Sequence, residues 1–576
     1  MFFKSLLEIE QYCGKMNWKN NSFGGDFMWE RAYKLLKTWC DTLLTYQVSS
    51  EYPYLDGALL CPACHVVHGR IADLSFPLML LYERTSEKRY LEAADKMIDW
   101  TEFNLKRPDG SWRNDAGNEW KCTSAFAAIS IGDALLHFGS LLEKPVYEKW
   151  LKIFVRLSDF IYNAFPSLDP VINYYAGAAC EQAMAWKITG DEKYLDFARD
   201  RERICRSRFD SEGLFFGEGH PIEGRTKKGC TYIDMGYALE ESLPLLLRYA
   251  ELTGEQKEFY EARFRDHLMF LLPDGGIDNS WGSRHNKWTW WGSRTSDGVL
   301  EGLALLTDDP MFCECSERVL SLYERCTHDG LLGLPMAKEA GEPTCLHHSF
   351  CHAKALAALI LAEQPVYERV SIPVETLDGI RFYQNNCVAV ISHNGWRATV
   401  SASDAQYLRN SENGGGSMTL LMHGNTPVCA STMRVYDPSE LLNMQYLRNS
   451  DQTPCMTPRL VFEDGDSLLD GSVLLTKTAP YALLASGDGW QIEYSFDDAV
   501  KLRIETQKAA KFVLPVICAA NPIIKPGSVS IGHITVKAEG LHCDPDARGF
   551  NQVGGFISQP IELPVNGCAE ICICAE

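Results

Sequence analysis

The strongest constraint on this 576-residue chain is a repeat. Five segments share one pattern: LYERTSEKRYLEAADKMIDW from Leu81, FGSLLEKPVYEKWLKIF from Phe138, WKITGDEKYLDFARDRERIC from Trp186, YAELTGEQKEFYEARF from Tyr249 and LALLTDDPMFCECSERVLSLY from Leu303. Each has an apolar helix end, a short polar turn, and a Tyr or Phe near the start of a second helix. Gly190 and Gly254 suit the left-handed residue after a helix, and Ser86 and Asp191 suit caps. Repeated units of this kind pack on one another. About twelve helices are expected between Phe27 and Glu363. They alternate in type: SAFAAISIGDALL, AGAACEQAMAW and HAKALAALILA are apolar and rich in small residues, whereas KYLDFARDRERICRSRF has one wet face. Six hairpins closed into a ring make an (α/α)6 toroid, here assigned to residues 1–364.

From about residue 365 the pattern changes. CVAVIS, and GWRATVSAS with alternating Trp396, Ala398, Val400 and Ala402, predict strands, as do GDGWQIEYSFDDAVKLRIETQ, VSIGHITVKAEG and AEICICAE. Residues 365–576 are assigned to an antiparallel β-sandwich, which makes the chain α+β and multidomain. YLRNS occurs twice, at Tyr407–Ser411 and Tyr446–Ser450. This is either a repeated strand end or a pair of loops reaching the pocket, in cis or across a dimer.

In such a ring the short turns lie on one side. The long connections leading into the inner helices lie on the other, at residues 61–73, 112–122, 169–175, 215–234, 278–298 and 342–352. All six are rich in His, aromatic, Arg and carboxylate residues, and helix N-termini favour anions. The 278–298 stretch, DNSWGSRHNKWTWWGSRTSDG, is the most distinctive. Indoles stack on sugar faces and guanidinium pairs with carboxylate. The chain carries 55 basic and 76 acidic residues, a net charge of −21. That field excludes nucleic acid and anionic membrane as partners, and it makes the local cations Arg284, His285, Lys287 and Arg294 stand out. The expected ligand is an acidic oligosaccharide. Arg284 and Arg294 are expected to hold its carboxylate, Trp288, Trp290 and Trp291 its ring faces, and His285, His348 and Tyr232 its hydroxyls. His220, Tyr174, Arg70 and Lys287 complete the predicted binding set.

Two chemistries fit. Hydrolysis needs an acid and a base or nucleophile across the glycosidic bond; Asp234 and Asp297 are the first candidates, Glu240 and Glu241 the reserves. β-Elimination needs a base at C5 and a neutraliser of the uronate; Tyr174, Tyr175, Tyr232, His220, His285 and His348 could act as base, and Asn173 as neutraliser. The motifs CPACxxxHGRxxD, YxDMGYxxEES, PDGGxDNSWG, KWTWWGSRTSDG and HHSFCHAKALA resemble those of glycoside hydrolase family 154, and the helix-then-strand layout resembles the heparinase II/III-like group. That resemblance implies an exo-acting β-glucuronidase, so hydrolysis of a terminal β-linked uronic acid is the expected activity. A uronate lyase is the alternative, and a non-catalytic carbohydrate-binding scaffold a weaker one.

No nucleotide loop or serine nucleophile motif occurs. CPACH fits a haem-attachment pattern by chance. CPACHVVH and TCLHHSFCH supply thiols and imidazoles at zinc spacing and would face one another around the ring. A chain of this size folds without a metal, however, and neither metal nor cofactor is expected. The N-terminal MFFKSLLEIEQYCGK lacks the form of a signal peptide and no stretch is expected to span a bilayer, so the 21 cysteines are expected to be thiols in the cytoplasm. Unpaired sheet edges make a homodimer reasonable.

Overall fold

The computed structural model describes residues 28–115, 119–165, 170–219, 221–285, 298–362, 365–435, 455–551 and 554–575. Among these, twelve helices of six or more residues build the N-terminal part: α1 (Met28–Thr45), α2 (Ser75–Thr85), α3 (Lys88–Leu105), α4 (Ser124–Phe138), α5 (Lys144–Ala164), α6 (Ile172–Thr189), α7 (Glu192–Arg206), α8 (Leu243–Thr253), α9 (Lys257–His267), α10 (Val299–Ala304), α11 (Pro310–Cys326) and α12 (Leu346–Leu361). The inner helices α2, α4, α6, α8, α10 and α12 pack each on the next, and α12 packs back on α2, closing the ring. Five pairs are sequential hairpins. The sixth joins the chain ends, with α1 against α12.

Outer and inner helices differ as their sequences require. α1 buries Ala32, Leu35, Leu36, Trp39, Cys40 and Leu43, a single stripe at helical spacing. α4 and α12 are buried almost all round. The helix Ser124–Leu141 has the length and hydropathy of a membrane span, contrary to expectation, but 78% of it is buried inside the protein. Its apolarity is that of an element surrounded by neighbours. Where inner helices meet they meet closely: a Cβ at Gly132 of α4 would lie 2.1 Å from Met184 Sδ of α6. The seam is tied by Arg31, which reaches Glu324 at 2.6 Å and also Glu317, and by Trp39 Nε1 donating to Thr327 Oγ1 at 2.9 Å. Gly190 and Gly254 adopt the left-handed conformation after α6 and α8, and the Asp191 side chain caps α7.

The C-terminal part holds three antiparallel sheets among the described residues. The first runs in sequence order: β1 (Gly379–Tyr383), β2 (Val388–His393), β3 (Trp396–Ser401), β4 (Ser417–His423) and β5 (Thr426–Ala430). A five-stranded sheet centred on Ala510–Ile517 and an eight-stranded sheet containing Trp490–Phe496 follow. All of β3 is buried. Trp396, Ala398 and Val400 enter the β-core, while Arg397 and Thr399 point at the toroid. There Thr399 Oγ1 donates to Asp278 at 2.5 Å, and Arg397 lies 3.8 Å from the same carboxylate. The polar half of an alternating strand is here covered by another domain rather than by water.

Candidate active site

Among the described residues, the connections at 215–234 and 278–285 lie against the first sheet and the residues that follow its third strand. Three features organise the mouth.

The first is an irregular helix start. A helical turn at Met235–Tyr237 leads into a π-helical segment, Ala238–Ser242, before α8. Pro244 explains the irregularity. It has no N–H for the carbonyl four residues earlier and its ring crowds that carbonyl. Leu243 N–H bonds to Ala238 O instead, and the freed Glu240 carbonyl accepts Gly298 N–H at 3.1 Å. Gly298 has φ +102°, and a Cβ there would meet Tyr323 Oη at 2.9 Å, so the position needs glycine. The widened turn places Glu240 and Glu241, both buried, on consecutive positions facing inward.

The second is the root of the Trp-rich loop. Asn279 accepts Met235 N–H at 2.7 Å and donates to Asp234 at 3.1 Å, and Ser283 N–H bonds to Ile233 O at 2.7 Å. From the sheet side, Tyr407 N–H bonds to Ser283 O at 2.9 Å and Asn413 donates to Ser280 O at 2.5 Å. Residues 278–285 are therefore the joint between toroid and first sheet.

The third is a connected set of buried polar groups at this joint. Asn173, next to the start of α6, donates from Nδ2 to Glu241 at 2.6 Å and from its backbone N–H to Glu218 at 3.0 Å. Glu218 lies 3.5 Å from Arg284. The Arg284 guanidinium is sandwiched between two phenol rings, 4.6 Å from the centre of Tyr237 and 4.4 Å from that of Tyr407. Burial works against its charge, but Tyr237, Tyr407, Glu218 and Asp234 hold its pKa well above the ordinary arginine value. Burial, with Asp234 and Glu241 nearby, pushes the Glu218 carboxyl up to about 8 against the pull of Arg284. Burial thus favours the protonated form of Glu218.

Around this set lie partly exposed aromatics. Tyr174 packs between Trp120 at 5.4 Å and Phe126 at 5.6 Å, its hydroxyl pushed well above 10 by burial. Arg70, paired with Asp73 at 2.7 Å, lies over the same Phe126 ring. Tyr232 lines a cavity of about 640 Å³ between the toroid and the β-strands, with Arg225, Lys227, Lys228, Gln406 and Asn413.

The structure thus brings Arg284, Glu241, Asn173 and Tyr174 together. It gives other predicted residues different surroundings. Asp234 caps the Met235–Tyr237 turn, accepting Tyr237 N–H at 2.9 Å, and is fully buried. His285 is buried with Nδ1 3.3 Å from Gly282 O, and burial lowers it to about 4, so it is neutral. His348 is buried in the first turn of α12, its carbonyl 2.7 Å from His352 Nδ1. Lys287, Trp288, Trp290, Trp291, Arg294, Asp297 and His220 lie outside the described residues, as does the second YLRNS. Three members of the set escaped sequence reasoning. Glu218 lies in the 215–234 connection and Tyr237 in the YxDMGYxxEES motif, and nothing in their spacing sets them apart from their neighbours. Tyr407 belongs to the first YLRNS, which reaches the site in cis.

A helical toroid followed by antiparallel sheets is a fold also seen in solved polysaccharide lyases. Heparinase III aligns over 99% of this chain and 89% of its own, with a TM-score of 0.51 and 10% identity. The Streptomyces coelicolor A3 chondroitin AC lyase, solved with chondroitin sulphate, aligns over 99% and 82%, with a TM-score of 0.52 and 12% identity. Likeness at that level concerns the fold. Sequence goes further: family models for the ulvan lyase N-terminal and C-terminal domains match residues 36–375 and 380–472. A broad-specificity ulvan lyase of Formosa agariphila is 30% identical over 587 residues, 92% of this chain and 91% of that protein. The chain belongs to the ulvan lyase family.

This corrects the expected activity. The loop motifs pointed to a β-glucuronidase of glycoside hydrolase family 154, yet the family matched is one of lyases. The elimination alternative replaces hydrolysis, and the pairing of Asp234 with Asp297 as hydrolytic acid and base falls with it. The heparinase-like fold stands.

Proposed function

We propose that this enzyme cleaves a uronic-acid-containing polysaccharide of the ulvan type by β-elimination. The observation that carries the reading is the buried set Asn173–Glu241–Glu218–Arg284–Tyr237, with Tyr407 added from the sheet. Elimination requires that the uronate charge be neutralised so that the C5 proton becomes acidic. The Asn173 amide and the Arg284 guanidinium supply that neutralisation. Tyr237, beside the guanidinium, takes the C5 proton as general base. The C5–H electrons become the C4=C5 double bond, the C4–O bond breaks, and the leaving oxygen takes the proton back from Tyr237. No water is consumed.

Carboxyl groups beside an anion-binding site look self-defeating. Protonation of Glu218 removes one negative charge, and hydrogen bonding ties Glu241 to Asn173. The cavity at the joint is lined by Arg225, Lys227 and Lys228 together with Asp404, Glu412 and Asp470, so it offers an extended chain polar partners of both signs. The test is the ultraviolet absorbance of the conjugated unsaturated uronate during incubation with ulvan. Tyr237→Phe and Asn173→Ala should abolish most of it while leaving the unfolding midpoint near that of the parent. Retention of activity by both variants would refute the assignment.

A further inference from the structure

Three thiols and an imidazole converge at the ring's seam, away from the groups used above. Cys61, Cys64 and His68 come from the connection before α2, and Cys345 immediately precedes α12. All four are buried, and their ligand atoms lie within 4.8 Å of one another. Cys61 Sγ is 3.9 Å and Cys64 Sγ 3.3 Å from Cys345 Sγ, and His68 Nε2 is 3.5 Å from it. In a tetrahedral zinc site, bonds of about 2.3 Å to sulfur and about 2.0–2.1 Å to nitrogen make S···S edges of about 3.8 Å and S···N edges of about 3.5 Å. The 3.9 Å Cys61–Cys345 and 3.5 Å His68–Cys345 spacings match those edges, and the 3.3 Å Cys64–Cys345 spacing is shorter than its edge.

The local backbone supports the same reading. Cys61-Pro-Ala-Cys64 is a tight knuckle: His65 N–H bonds to Cys61 O at 2.9 Å, and His65 takes φ +58°, unusual for a non-glycine residue. The turn aims Cys64 N–H at Cys61 Sγ, 3.4 Å away. An N–H pointed at sulfur favours the thiolate, the form that binds metal. The bland alternative is that buried cysteines fill space, as Cys40, Cys180 and Cys205 do inside helices. It does not explain why ligands 277 to 284 residues apart meet with their sulfur and nitrogen atoms facing one another.

We propose that Cys61, Cys64, His68 and Cys345 form a structural zinc site that fastens the first inner-helix connection to the last inner helix. Four protein ligands leave no open coordination position, so the ion clamps rather than catalyses. The clamp lies next to the predicted binding residues. Arg70 follows His68 by two positions, and His347, which precedes His348, packs its ring 5.5 Å from that of His68. The ring therefore closes twice, once through the packing of α1 on α12 and once through metal ligation.

The full-length protein, expressed with added zinc and purified without chelator, is assayed by elemental analysis. About one equivalent of zinc per chain is expected, falling to background in Cys345→Ser. Because that variant could misfold, cobalt is exchanged into the parent protein as a second readout. The intense visible bands of tetrahedral cobalt–thiolate coordination are expected, and they should be bleached by a thiol-blocking mercurial. Chelator should lower the unfolding midpoint of the parent. Metal-free parent with three reactive thiols, at Cys61, Cys64 and Cys345, would overturn the proposal. So would a Cys64–Cys345 or Cys61–Cys345 disulfide in peptide maps of unreduced protein.

Discussion

At the scale of single residues, Arg284 governs the site because it is a buried cation stacked between phenol rings from both domains. Replacing it with Lys keeps a charge but loses the flat surface that two phenol rings sandwich. Arg284→Lys should lower kcat/KM on ulvan by about 10²-fold or more, the size of effect seen when one charge-stabilising group is removed. Initial rates measure this; an unchanged kcat/KM would remove Arg284 from the mechanism. Glu218 gives a pH prediction. Its carboxyl is raised from 4.5 to about 8 chiefly by burial. The folded protein then keeps this proton between those values while the unfolded chain has lost it. The stability this group contributes is complete below about pH 4.5 and is lost as pH rises through about 8. The charge that appears above pH 8 also repels an anionic substrate, so KM should climb there. In Glu218→Gln the climb should disappear, and a KM profile identical to the parent would contradict the assigned proton. Residue identity was partly legible in the sequence. Arg284 and Glu241 stood out as charges in inward-facing segments. Asp234 read as a catalytic carboxylate, whereas its acceptor position at a helix start makes it a cap. Glu218 was missed because burial, not spacing, gives it its character.

At the scale of elements, the inner helices are set by close approach. Gly132→Ala places a methyl within 2.1 Å of Met184 Sδ and 2.9 Å of Phe154, so α4 and α6 must part. A destabilisation of about 1–3 kcal/mol is expected from urea unfolding. A smaller loss would show that Met184 swings aside. The α6 helix also buries Glu181, bonded to Ser158 at 2.6 Å and Gln182 at 2.7 Å, and burial lifts it to about 7. Glu181→Gln should therefore stabilise the protein more at pH 8 than at pH 5, by the same sign argument; equal effects at both pH values would mean that Glu181 is not held neutral. Helix positions were legible because short turns, caps and apolar stripes are local signals. The π-segment was not. Pro244 announces a disturbance, but which carbonyl is released, and that Gly298 collects it, depends on a neighbour 58 residues away in sequence.

At the scale of the whole molecule, the ring and the sheet make the site jointly. Tyr407 stacks on Arg284 from the sheet, and Lys228 Nζ crosses the joint to Ala402 O and Val473 O, both at 2.8 Å. Tyr407→Ala should raise KM and lower kcat while the helical circular dichroism stays unchanged. Full activity in that variant would leave the sheet as a mere support. The toroid could be foreseen because its repeat is periodic, and the side of the ring bearing the pocket followed from loop lengths. The joint could not, since the polar residues of β3 read as a solvated face until Asp278 covers them. The reaction was the least legible level. Acidic-sugar hydrolysis and elimination recruit the same cations, aromatics and carboxylates, so composition identified the ligand class and family membership selected the chemistry. The measurement that addresses this most directly is digestion of ulvan in water enriched in heavy oxygen, with products read by ultraviolet absorbance and mass spectrometry. Elimination leaves an unsaturated uronate at each new non-reducing end and no heavy oxygen incorporated during bond cleavage, and both are expected. Saturated products carrying solvent oxygen at the new ends would contradict it.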